Sequence, residues 1–302
     1  MIGFKRFGST GGGGEVSRQV FTIYTTAAAA IDILLSTIAP VRVNWGDGTT
    51  EEKNGTDQTY SKTYAVAGDY AIQFLKKSDI TKLQCTSNVF FHFDIANAPA
   101  GITYFLITGQ NTVSGDIANA PAGITYFLIT GQNTVSGDIA NAPAGITYFS
   151  IAGQNTVSGD IANAPAGITV FYITGQNTVS GDIANAPAGI TYFLITGQNT
   201  VSGDIANAPA GITFFNIQGQ NTVTYTTRTW PSVFSYFYLR PANTGIFTTA
   251  MVDKFLIDMA ASITTASNEK AIDLRGNCGA RTAASDTAVI YLQGIGFTVY
   301  TN

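Results

Sequence analysis

Ile102-Thr-Tyr-Phe-Leu-Ile-Thr-Gly-Gln-Asn-Thr-Val-Ser-Gly-Asp-Ile-Ala-Asn-Ala-Pro-Ala-Gly123 is followed at once by a second copy of itself, and then by more. Ile102, Ile124, Ile146, Ile168, Ile190 and Ile212 open six successive copies spaced 22 residues apart. A fixed period of this length is the signature of a solenoid, because one such unit cannot bury its apolar face alone and must stack on its neighbours.

Within a copy the constant apolar positions are Ile102, Phe105, Ile107, Val113 and Ile117. The segment from Thr103 to Thr108 is short, rich in β-branched and aromatic residues, and closed by Gly109, so it reads as a strand. Side chains alternate across a strand, which puts Phe105 and Ile107 on one face and Tyr104, Leu106 and Thr108 on the other. Differences between copies orient these faces. Phe105, Phe127, Phe149, Phe171, Phe193 and Phe215 never change, whereas the position of Leu106 reads Leu, Leu, Ser, Tyr, Leu, Asn. Packed positions tolerate little change in volume. The Phe/Ile face is therefore expected to point inward and the Tyr/Leu/Thr face outward.

The pattern I-x-x-F-x-I-x-G-Q-N-x-V-x-G-D-I resembles the leucine-rich repeat, L-x-x-L-x-L-x-x-N-x-L-x-G-x-I, with one extra residue before the asparagine. The resemblance implies a parallel sheet along one face of a curved solenoid. It also implies a buried ladder of Asn111, Asn133, Asn155, Asn177, Asn199 and Asn221 bonded to backbone, which suits turn backbone in need of partners.

The 302 residues are 45% hydrophobic and only 11% charged, with 32 glycines, as expected of a folded chain with ample core and a surface poor in charge. The net charge is −4 and no basic cluster occurs, which argues against a nucleic-acid groove. No apolar run reaches the ~18 residues of a membrane helix. The first residues, MIGFKRFGSTGGGGEVSRQ, lack the apolar stretch of a secretory signal. Cys85 occupies the inward strand position of Ile107 one repeat earlier, and Cys278 lies near the far end. Strands ~4.8 Å apart would hold them far beyond bridging distance, so two structural thiols without a disulfide are expected.

Residues 1–14 end in four glycines and read either as a disordered tail or as a docking arm with Phe4, Lys5, Arg6 and Phe7 as its contacts. Residues 15–79 read as a separate unit with strands at Val20–Thr26, Ile31–Thr37 and Val41–Trp45. The combination VNWGDGT, TY and AGDYAI resembles a PKD-type β-sandwich, with Thr63 at the usual histidine. Asp47 in the Trp45-Gly-Asp-Gly48 turn could ligate a metal or bond its own backbone, the commoner use of such a residue.

Ile80 to Thr86 fits the strand pattern one period before Ile102, in a degenerate copy where Phe91 and Phe93 take the places of Val113 and Gly115. Phe234 to Arg240 falls one period after Ile212. Beyond it, Thr249 to Ser262 has a helical apolar period with Thr248 or Thr249 as N-cap, Ala271 to Arg275 is a strand, Ser285 to Gln293 a helix, and Phe297 to Tyr300 a last strand. The expected fold is thus mainly β with some α. A Gly-rich arm (1–14) precedes a PKD/Ig-like β-sandwich (15–79). A parallel-sheet, leucine-rich-repeat-like solenoid of 22-residue repeats (80–244) follows, closed by a helix-containing βα cap (245–302).

No catalytic constellation stands out: there is one histidine, His92, no paired acid and base, and no phosphate-cradling loop. No cofactor or metal is expected. Asp94, Asp116, Asp138, Asp160, Asp182 and Asp204 form a register that either caps turns or collects cations. The outward strand face is the candidate binding surface. Tyr104, Tyr126, Tyr148, Val170, Tyr192, Phe214 and Tyr236 form one row, and Leu106, Leu128, Ser150, Tyr172, Leu194, Asn216 and Tyr238 the next. A mostly threonine row ends in Gln218 and Arg240. An apolar, aromatic patch of this size marks either a recognition surface or a face covered by another subunit or loop. Tyrosine offers area at little entropic cost and a ring that stacks on sugars or side chains.

PKD-like and leucine-rich-repeat-like units in series resemble bacterial surface proteins. The closing segment from Phe247 to Asn302 resembles that of repeat proteins encoded by phages and Bacteroidetes. The expectation is a non-enzymatic phage structural protein, tail- or head-associated and localised to the virion. It would hold other virion proteins through the arm and a host-surface glycan or protein through the sheet. Neither nucleic-acid binding nor membrane insertion is expected, and homo-oligomerisation is compatible. The alternative is a bacterial cell-surface leucine-rich-repeat adhesin.

Overall fold

The structure is a computed structural model and describes residues 20–25, 30–86 and 91–302. It is mainly β, with a long sheet and few helices. The arm residues Phe4, Lys5, Arg6 and Phe7 lie outside the described residues.

Each copy makes one coil with two strand segments. In the first described full coil these are β7 (Tyr104–Ile107) and β8 (Thr112–Asp116), followed by a 3-10 turn at Ile117–Asn119. In the next three coils the two segments run into one another across a bend, as β9 (Tyr126–Asp138), β10 (Tyr148–Asp160) and β11 (Val170–Asp182). They separate again as β12 (Tyr192–Gly197) with β13 (Thr200–Asp204), and β14 (Phe214–Gln218) with β15 (Thr222–Thr224). All pair in parallel with the coils before and after. The second segment of each coil was not read from the sequence as a strand.

The two segments keep different registers. In the first, partners are 22 residues apart: Tyr104 faces Tyr126 and Phe105 faces Phe127. In the second the offset is 20: Ser114 faces Thr134 and Asp116 faces Ser136. Hence Phe93, not Phe91, lies opposite Val113 in the degenerate first coil. Counting by the period alone misplaces that pair, because the extra residue at the bend lets the second segment slide.

The inward face behaves as the repeat pattern requires. Phe105, Phe127, Phe149, Phe171, Phe193 and Phe215 are fully buried, and their rings stack on one another at 5.5–6.0 Å. The asparagines are fully buried too. Asn133 Nδ2 donates to Ala152 O of the next coil at 2.9 Å, and its Oδ1 accepts from Val113 N of the preceding coil at 3.1 Å. Asn155 repeats the arrangement with Thr174 O and Val135 N. Asn133 and Asn155 therefore each satisfy one donor and one acceptor of bend backbone that no regular ladder reaches.

The N-terminal strands close the open end of the stack. β1 (Val20–Thr25) and β4 (Tyr70–Leu75) pair antiparallel, and β1 continues onto β6 (Phe91–Asp94) of the first coil. β2 (Ala30–Asn44) is a single strand where two were expected, with register shifts between Leu35 and Val41. One side of β2 pairs with β3 (Thr50–Thr63). On its other side, Leu34–Thr37 pair with β5 (Ile80–Cys85), while Arg42–Asn44 pair with β4. β5 in turn pairs in parallel with β7, so hydrogen bonding runs unbroken from this unit into the coils. Asp47 accepts from Thr49 N at 3.0 Å and pairs with Lys62, so its carboxylate serves its own turn. Lys62 and Thr49 hold it at about 2, below the usual range.

At the other end β16 (Val233–Arg240), β17 (Thr265–Leu274) and β18 (Thr298–Thr301) continue the row of first strand segments, and helices replace the second segment. α1 (Thr249–Ser262) spans the residues expected, and Thr248 caps it by accepting from Met251 N. α2 (Asp286–Gly294) lies within one residue of expectation. Phe255 of α1 packs on Phe237 at 4.2 Å and on Trp230 at 5.3 Å, so the helix covers the inward side of the strands. Cys85 and Cys278 are buried and form no disulfide, and burial pushes the Cys278 thiol up to about 12.

Candidate functional site

The outward residues of the first strand segments come together as the sequence pattern expects. Backbone pairing places Tyr104, Tyr126, Tyr148, Val170, Tyr192, Phe214 and Tyr236 in one row. The same pairings place Leu106, Leu128, Ser150, Tyr172, Leu194, Asn216 and Tyr238 in the next. Asp273 and Tyr300 continue that second row on β17 and β18.

These side chains are not splayed into solvent. Tyr104, Tyr126 and Tyr148 are half-buried, while Leu194 and Phe214 are only 8% exposed. They cover one another. Tyr104 stacks on Tyr126 and Tyr126 on Tyr148, both at 4.3 Å and within 17° of parallel. Tyr192 stacks on Phe214 at 3.9 Å and Phe214 on Tyr236 at 4.8 Å. Strand spacing is ~4.8 Å, so a parallel, in-register sheet brings identical rings to stacking distance without any adjustment. Burial, together with the Tyr148 and Tyr104 phenols beside it, pushes the Tyr126 hydroxyl well above the ordinary tyrosine range.

Stacking changes what the face can offer. Along a run the flat side of each ring is taken up by its neighbours, leaving ring edges and hydroxyls for a partner. Cations lie at the two outer ends of this face. Lys82 Nζ lies 4.7 Å over Tyr104, and the Arg240 guanidinium 4.1 Å over Tyr238. Arg240 and Arg275 both pair with Asp273, at 3.1 and 2.7 Å, and Arg275 lies 4.3 Å over Tyr300. Burial opposes ionisation of Asp273, but the two guanidiniums outweigh it and hold its carboxyl below the usual range. Lys82, Asp273, Arg275 and Tyr300 were not read as part of this face. They flank the copies, where the repeat pattern does not assign an outward side.

The aspartate register lies at the ends of the second strand segments. Asp116, Asp138, Asp160, Asp182 and Asp204 each accept from the backbone N–H two residues on at 2.9 Å, capping the 3-10 turns. Their oxygens also press against the glycine of the following coil: a Cβ on Gly137 would lie 2.1 Å from Asp116 Oδ1. His92 is half-buried, and burial lowers its pKa. Among the described residues no three His, Cys, Asp or Glu side chains are grouped to hold a metal ion. No described helix is long and apolar enough to cross a membrane.

The chain matches no family model. No curated protein shows significant similarity to it.

Proposed function

We propose that this chain is a non-enzymatic structural protein of a phage virion, a fibre or decoration component that presents its outward sheet face to the host surface. In this reading a PKD-like unit and a leucine-rich-repeat-like solenoid carry the face. Residues 1–14, with Phe4, Lys5, Arg6 and Phe7, dock on other virion proteins. The observation that carries the reading is the asymmetry between the two sides of each strand. Over the first strand segment the inward positions are copied without change, while departures from the repeat lie on the outward rows, at Ser150, Ala152, Val170, Tyr172, Phe214, Asn216 and Gln218. Positions outside the core are free to vary, and a continuous face of aromatic and apolar side chains suits recognition. Near-identical copies also suit a rod whose length changes by whole units.

Mass spectrometry of purified virions beside host envelope fractions tests the proposal. Peptides from residues 1–30 in virions are the expected result. Signal-processed protein in the envelope and none in virions would replace it with the cell-surface adhesin.

A further inference from the structure

We propose that the groove beside Arg228, at the end of the row of 3-10 turns, binds a carboxylate carried on an aliphatic body. The groove lies where one coil passes to the next, apart from the tyrosine rows. The inference goes beyond the proposed function and does not rest on it.

The chain leaves the repeat at this point. Thr226-Thr-Arg-Thr229 stands one period after Asp204-Ile-Ala-Asn207, so Arg228 takes the place of an alanine. Its guanidinium reaches back to the preceding turn. Nη1 donates to Ile205 O at 3.3 Å and to Ala208 O at 3.1 Å, and Nη2 donates to Pro209 O at 2.9 Å. The group also lies 4.5 Å over the ring of Trp230, whose Nε1 donates to the Tyr225 hydroxyl at 3.2 Å. Two of these carbonyls are satisfied without the arginine. Ile205 O accepts from Ala208 N and Pro209 O from Ile212 N. One coil earlier Ile183 O and Pro187 O do the same from Ala186 N and Ile190 N, with alanine at the position one period before Arg228. Arg228 therefore adds a fixed positive charge to a turn that already closes by itself.

That charge has no counter-ion. All three acceptors are neutral, and Arg228 forms no ion pair among the described residues. Asp258 accepts from the backbone N of Arg228 at 3.3 Å, but its charge is paired with Lys254. Arg228 is half-buried, and burial opposes its charged form. A charge so placed is costly alone, and an anion beside it offsets that cost.

There is room for one. A groove of about 500 Å³ is lined by Arg228, Thr229 and Asn207, and by Pro209 with the alanines from Ala184 to Ala188 and from Ala206 to Ala210. This is the size of a small-molecule site. The lining selects the ligand. Arg228 is the one cation in it, so a monoanion matches better than a phosphate dianion. A guanidinium has five N–H groups. Three are engaged here, leaving two for the two oxygens of a carboxylate. The alanine methyls and the proline ring form an apolar wall for the aliphatic body.

The indole N–H signals of Trp45 and Trp230 give a readout with its own control, since only Trp230 touches Arg228. Titration of the full isotope-labelled chain with hexanoate should shift the Trp230 signal, leave that of Trp45 in place, and give millimolar affinity. Hexanamide, which lacks the charge, and acetate, which lacks the body, should each bind at least about tenfold more weakly. Arg228→Gln should stay folded by thermal melting and lose at least about tenfold in hexanoate affinity. Ala210→Glu changes an exposed wall residue and supplies a carboxylate from the chain itself, so it should abolish binding with Arg228 intact, and it decides the matter if Arg228→Gln does not fold. No shift of Trp230, equal binding of hexanamide, or undiminished binding by a folded variant would overturn the site. Tighter binding of inorganic phosphate than of hexanoate would overturn the ligand class. N-acetylleucine separates two sources of the same chemistry: if it outcompetes hexanoate the carboxylate is that of a peptide terminus, and if not, that of a free aliphatic acid, the site standing in both cases.

Discussion

Asn155 holds two backbone groups that nothing else can reach, the N–H of Val135 and the carbonyl of Thr174. Asn155→Ala leaves both buried and unpaired, at about 1–3 kcal/mol each. Asn221 sits at the last rung, where its Nδ2 donates to Arg240 O at 2.7 Å but its Oδ1 has no partner among the described residues. Asn221→Ala should therefore cost only about half as much, and urea denaturation of the two variants checks the ordering. Gly137 makes a second test. Its φ of +104° disfavours any side chain, and an added methyl would collide with the Asp116 carboxylate of the coil before. Gly137→Ala should lower the melting temperature by several degrees. Gly123→Ala, whose methyl would meet only Ile102 O at 3.7 Å, should change it little. The inward and outward roles of such residues were readable because six copies repeat the same experiment with small variations. The pairing of Phe93 with Val113 was not, because it depends on how far the second strand segment slides at the bend.

Elements outside the repeat were read unevenly, for identifiable reasons. α1 follows from its apolar period and a threonine cap, features local to the sequence. β3 did not: TEEKNGTDQTYSKT carries no apolar alternation, since only Tyr60 along it is buried. As an outer strand paired with β2, it is defended by charge instead of by core packing. The second strand segment of each coil was missed because its apolar content is a single valine between Thr and Ser-Gly-Asp. The closing helices carry a pH dependence. Burial opposes ionisation of Asp253, but Ser285 Oγ, Thr282 Oγ1 and Thr282 N bond its carboxylate and together hold its pKa below the ordinary value. A carboxylate so depressed stabilises the fold above the unfolded pKa of ~3.9, and this is lost as pH falls through the folded value. Thermal melts at pH 7 and pH 3 should show Asp253→Asn less stable than the native chain at pH 7, with a smaller loss on acidification.

At the scale of the whole molecule, the coils are interchangeable and the ends are not. Removing residues 124–145 deletes one complete coil and joins Gly123 to Ile146, the same junction that Gly123 makes with Ile124. Circular dichroism should show a folded β protein of slightly lower stability, because each coil contributes chiefly through contacts with its two neighbours. Removing residues 30–79 instead strips β5 of its antiparallel partner and bares a parallel sheet edge, and sedimentation should show association.

Coils of identical sequence also cannot tell one another apart. A nascent chain can dock its second copy where its fifth belongs, with every phenylalanine, asparagine and threonine satisfied, and learn of the mistake only when a coil is left over at the end. The address of each coil is then written in the few places where the copies disagree, and Val170 with Tyr172 is such a place. Refolding should accordingly show a slow, error-correcting phase that lengthens when those differences are erased.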